Sequence, residues 1–126
     1  MSQKQLLEVI MGHFFKHQIQ LKLFHFQTKT FAAHKASDEY LSKFEGNVDK
    51  FMEVAQGVFG RLNMKHVELN FAVVNDGTIK NEVCDLVSIL RKFDGLEGLS
   101  KRSELLNIRD EMVADAEQFK YLLTFQ

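Results

Sequence analysis

His34, Asp38, Asp49 and Glu53 follow one another with the spacing His-x3-Asp-x10-Asp-x3-Glu. On one helix, at about 100° per residue, the four positions fall within roughly a 100° arc, and Glu45 lies inside it. One face of an otherwise apolar segment therefore carries a line of potential metal ligands. His25 stands nine positions ahead of His34. Mixed imidazole and carboxylate ligation of this kind suits Fe(II), Mn(II) or Zn(II), and iron is favoured where open positions admit oxygen.

Reach decides how such a set could close. Glu53 is nineteen positions from His34, or about 28 Å along a helix, so one chain cannot wrap all four residues around one ion. Two copies of the segment packed antiparallel about a two-fold axis can. His34 and Asp38 of one copy then meet Asp49 and Glu53 of the other, and the axis passes between Lys43 and Phe44. Gly46 lies close to that crossing, where a missing side chain lets backbones approach. A self-complementary interface of this kind creates two equal sites per homodimer. If the preceding turn centres between Lys29 and Thr30, His25 and His34 stand at one level on adjacent antiparallel helices. The set is then two imidazoles and up to three carboxylates.

The residues from 25 to 53 resemble the Dps family, small ferritin-like cages that oxidise and store iron between subunits. The resemblance rests on the spacing of His34, Asp38, Asp49 and Glu53, and on His25 followed by the aromatic Phe26, which looks like the family's His-Trp pair. It implies that His25, His34 and Asp38 come from one subunit, and Asp49 and Glu53 from its two-fold mate. It also implies a ferroxidase-type centre whose carboxylates hold and neutralise iron while the imidazoles fix its position. The likeness has departures. The segment from His25 to His34 is three residues shorter than usual. Thr28-Lys29-Thr30 replaces the family's Gly-Pro. The chain is short around its third helix, which bears on a twelve-subunit cage more than on a dimer. The other ferritin-like signature, paired Glu-x-x-His motifs within one bundle, is absent from the sequence.

The elements that must position these residues are helical. The chain has no proline, so long helices can run uninterrupted. A first helix is expected over about 2–28. Leu6, Ile10, Phe14, His17, Leu21 and Phe24 form one stripe, and Met11, Phe15, Ile19, Leu23 and Phe26 a second. A helix apolar on two sides is buried on two sides, and the second side is expected to take another subunit. A second helix is expected over about 31–60 on Leu41, Phe44, Val48, Phe51, Met52, Ala55 and Phe59. Residues 61–80 carry Asn63, Asn70, Asn75 and the turn signal Asp76-Gly77; Phe71-Ala72-Val73-Val74 reads as an extended crossover or a short helix. A third helix over about 81–93 rests on Val83, Leu86, Val87 and Leu90. Ser100 is expected to cap a fourth, which turns Leu105, Ile108, Met112, Val113, Ala116, Phe119 and Leu123 inward. The fold expected is all-α: one ferritin-like four-helix bundle over 1–126, with an extended crossover between helices two and three.

Charge and composition narrow the function. A net charge of −1 and the lack of a basic arm argue against nucleic-acid binding, which needs a basic patch. No apolar run approaches the roughly 20 residues of a membrane span, and no signal-peptide layout opens the chain. The lone Cys84 cannot form an internal disulfide, so a reducing, cytoplasmic setting is expected; it reads as a small packed residue. Met11, Met52, Met64 and Met112 read as core fillers. His13 and His17 lie one turn apart, but His17 sits in the apolar stripe and reads as a buried, hydrogen-bonded histidine. Lys43 and Lys50 offer ordinary surface ion pairs to Asp49 and Glu53. The function expected is a Dps-like protein that binds, and oxidises or sequesters, Fe(II) at an intersubunit site. The competing reading is a metal-silent ferritin-like dimer that acts as a structural or protein-interaction module.

Overall fold

The computed structural model describes residues 1–125 and contains four α-helices: α1 (Gln3–Gln27), α2 (Phe31–Phe59), α3 (Ile79–Arg91) and α4 (Ser103–Leu122), with a short 3-10 turn at Lys92–Gly95 after α3. No strand occurs among the described residues. The first start is set locally. Ser2 accepts from the Gln5 N–H while the Gln5 side chain returns to the Ser2 N–H, a reciprocal capping box. Thr30 caps α2 through Ala33 N–H, and Gly60, at φ 95°, ends it. That left-handed angle favours glycine.

Phenylalanine fills the centre. Phe14 packs edge-on against Phe44 and Phe51, at 6.0 and 5.6 Å between centroids, and Phe93 closes on both Phe14 and Phe51. All four rings are buried, as are Leu21, Phe24, Leu86, Leu90, Leu105 and Phe119 from the other stripes. Rings packed edge to face gain about 0.5–1.5 kcal/mol each beyond the apolar area they remove from water.

Direction follows from the contacts of residues 60–78. Glu8 holds Met64 and His66, Gln20 holds Ala72, and Thr28 holds Asp76. The crossover thus runs along α1 in the same sense, carrying the chain from the end of α2 back to the level where α2 began. α2 and α3 therefore run the same way, and α4 returns antiparallel to α3. This is a four-helix bundle with one long crossover. The crossover is extended rather than helical. It buries Leu62 and Val74 but leaves Leu69, Phe71 and Val73 exposed.

Several expectations are corrected. The crossover of the chain itself covers the second side of α1 at Glu8 and Gly12, while Leu23 and Phe26 of that stripe stay exposed. Glycine makes the close approach possible: a Cβ on Gly12 would lie 2.8 Å from the Glu68 carbonyl oxygen. α4 starts at Ser103 behind Arg102, without a side-chain cap. Ser100 instead belongs to a turn that tucks Leu99 fully into the core. α3 begins two residues early because Ile79 joins the core. Cys84 is exposed, since the Val83, Leu86 and Leu90 stripe turns it outward. Met64 is also exposed, at a left-handed φ of 63°, so it fills no core space. Among the described residues no helix is long and apolar enough to cross a membrane.

Candidate metal centre

The short turn between α1 and α2 brings His25 and His34 face to face. Their rings stack at 3.9 Å between centroids, 18° from parallel. Each ring also bonds to the other residue's backbone: His25 Nδ1 to the His34 carbonyl at 2.9 Å, and His34 Nδ1 to the His25 carbonyl at 2.9 Å. A carbonyl oxygen can only accept, so both Nδ1 atoms carry hydrogen. In the neutral rings both Nε2 atoms then hold free lone pairs. Backbone anchoring of one ring nitrogen is the usual way a protein fixes the tautomer of a metal-binding imidazole. The fully buried Ser37 joins the pair, donating to the His34 carbonyl at 3.0 Å and lying 3.0 Å from His25 Nδ1. His25 is buried and His34 exposed, so the pair reaches from the core edge to the surface of α2.

Asp38 lies one turn beyond His34 on that surface. Asp49 and Glu53 lie farther along the same helix, and all three are exposed. Among the described residues, none of the three takes part in a side-chain ion pair. Lys43 bonds to Gln118 instead, so the ordinary salt-bridge account of these acids finds no support in its contacts. Gly46 shares the surface and has nothing within 4 Å of where its Cβ would stand. Within one chain the two histidines come together, whereas Asp49 and Glu53 stay about 22–28 Å along α2 from His34. Among the described residues no group of three or more His, Cys, Asp or Glu side chains could hold a metal within one chain.

Two polar clusters escaped sequence reasoning in whole or part. In the first, His17 is buried as expected. Its Nδ1 donates to Glu82 at 2.7 Å and its Nε2 accepts from the Tyr40 hydroxyl at 2.7 Å. Gln20 donates to the second Glu82 oxygen. Burial lowers the His17 pKa, and the Glu82 carboxylate only partly restores it. Tyr40 is pushed well above its ordinary range by burial and by the charges of Asp115 and Glu82. In the second, the buried Glu8 accepts from Met64 N–H at 2.8 Å and His66 Nδ1 at 2.6 Å. Burial raises its carboxyl pKa, but the bonds from His66 and Met64 outweigh that and leave it lowered. A carboxylate inside the α1 stripes was the available signal, because a buried acid needs a partner.

One family model matches the part of the chain that carries the histidine pair and the acids of α2. A family model described as a family of unknown function, DUF5856, matches residues 25–123. The chain belongs to that family. The matched stretch opens on His25 and includes His34, Asp38, Asp49 and Glu53. Neither the curated proteins nor the solved structures contain a match to the chain.

Proposed function

We propose that the protein is a Dps-like member of the ferritin-like superfamily that binds Fe(II) as its substrate, and oxidises or sequesters it, at a site shared by two subunits. The observation that carries the reading is the stacked His25–His34 pair, with both Nδ1 atoms committed to backbone carbonyls and both Nε2 atoms left to accept a cation. The donor chemistry fits Fe(II): two neutral imidazoles and the unpaired carboxylate of Asp38 from one chain, with Asp49 and Glu53 from the mate. The acids hold the cation and offset its charge, while the anchored imidazoles set its position. Ser37 keeps the pair in register. The open space over Gly46 leaves room for a second α2 to approach. Mn(II) or Zn(II) can compete for the same donors.

Aerobic Fe(II) titration, followed by absorbance, tests the proposal. Protein-accelerated oxidation should saturate near one or two irons per chain and vanish in His34→Ala and in Glu53→Ala. Sharing is tested by mixing. A heterodimer of the two variants concentrates both defects in one site and leaves the other intact. Re-equilibrating equal amounts should therefore restore about one quarter of the wild-type sites. No recovery, in a mixture proven to exchange subunits, would refute a shared site. Oxidation at the buffer rate by the wild-type dimer would favour the metal-silent interaction module.

A further inference from the structure

A concave, open-mouthed surface lies away from the histidine pair, between α1 and the crossover, and spans about 450 Å³. Its α1 wall is set by Val9, Gly12, His13 and Lys16, which fall within roughly a 100° arc of the helix. Its other wall is crossover backbone carrying Lys65 and Asn70. The crossover is held in place on both sides of the space. Glu8 clips Met64 and His66 at one end, the Glu68 backbone seats on Gly12, and Gln20 holds Ala72 at the other. The walls are thus fixed by contacts that leave Lys16, Lys65, His13 and Asn70 uncommitted.

Those four side chains are donors. Among the described residues neither lysine pairs with a carboxylate. Of the two acids at hand, Glu8 is consumed by the clip, and Glu68 alone faces two lysines. The local field is positive enough to register on the histidine: burial lowers the His13 pKa first, and Lys16 and Lys92 lower it further. Val9 and Met1 give the lining an apolar strip. A small-ligand pocket has this size and this makeup, with apolar walls and a few converging polar groups. Ammonium groups beside an imidazole and an amide select a compact, multiply charged anion.

We infer that this cavity binds a small phosphorylated organic molecule, its phosphoryl group held by Lys16, Lys65 and His13 and its body lying on Val9 and Met1. The site is independent of the proposed iron chemistry. An anion beside His13 favours the imidazolium, so binding tightens as pH falls through the His13 titration. Lys16, Lys92, Lys65 and His66 face that ring as cations or donors, and Glu68 opposes them.

The test is a 1H–15N NMR titration of the full chain with adenosine 5′-monophosphate and with inorganic phosphate, at ionic strength held constant with sodium chloride. Saturable shifts should centre on residues 9–16 and 65–70, with the nucleotide binding at least tenfold more tightly than phosphate. The pair Lys16→Gln, Lys65→Gln should weaken it at least tenfold. Lys120→Gln, near the end of α4 that packs beside the α1–α2 turn, should leave it unchanged. The His13 ring should titrate at higher pH with ligand bound. Equal affinity for phosphate and nucleotide would overturn the organic body. Scattered, non-saturating shifts, or shifts that survive in the double variant, would overturn the site. Binding of a single-stranded oligonucleotide with neither small anion would reassign the surface to a polymer backbone.

Discussion

The outward face of α2 and the strapped face of α1 use the same residue types to opposite ends. On α1, Gly12 is filled by the crossover backbone, Glu8 is saturated by two donors, and His17 is closed by a carboxylate and a phenol. On α2, Gly46 looks into open space, Asp38, Asp49 and Glu53 have no cationic partner among the described residues, and His34 keeps one ring nitrogen free. Buried polar groups must be paired within the chain. A polar face left unpaired is available for something outside it. The first face carries internal pairing that supports the fold, and the second holds the residues of the proposed iron site.

Substitutions can break this contrast. The largest effect is expected at His17. His17→Leu strands the Glu82 carboxylate and the Tyr40 hydroxyl, and should cost about 3 kcal/mol in urea unfolding. Loss of under about 1 kcal/mol would mean that the network is not holding the bundle. Gly12→Ala comes next. A methyl group 2.8 Å from a backbone oxygen forces the crossover away, for about 1–3 kcal/mol. Faster proteolysis within 61–78 would accompany it, and unchanged protection would show that the strap moves freely.

Acid should act on the α1 side. His17 has a lowered folded pKa, so the unfolded chain binds more protons below about pH 6.5. The stability His17 lends is whole above that value and declines as pH falls toward the folded pKa. The lowered Glu8 adds a second loss, beginning as pH falls below its ordinary 4.5. The melting temperature should therefore drop between pH 7 and 5, and the slope in that range should flatten in His17→Leu. A slope unchanged by the substitution would remove His17 as its source.

The smallest stability effects, and the sharpest functional ones, belong to α2. Gly46→Ala meets no atom, so helix propensity alone should stabilise the isolated chain by about 1 kcal/mol. The same methyl group should weaken self-association, as read by sedimentation. Tighter association would place the interface elsewhere. Glu53→Gln should shift stability by under about 0.5 kcal/mol while abolishing Fe(II) oxidation.

The sequence carried the helices and the level of the histidine pair. Apolar period marks α1, α2 and α4, because burying a stripe is a local pattern repeated every turn. The turn at 28–30 is so short that His25 and His34 had to stand together. Neither the period nor the turn revealed the reciprocal Nδ1 bonds, which need the two backbones at a set separation. The path of 60–78 was not legible either. An extended segment has no helical period, and its course depends on Glu8, Gly12, Gln20 and Thr28, each about 50 residues away in sequence. Gly12 offered a clue, as a glycine inside a strong helix, but its reason is a carbonyl from a distant segment. Residue types and spacing thus determined which side chains could do chemistry. The tertiary structure decided which of them the fold uses up, because only packing places a partner within hydrogen-bonding reach of a buried charge.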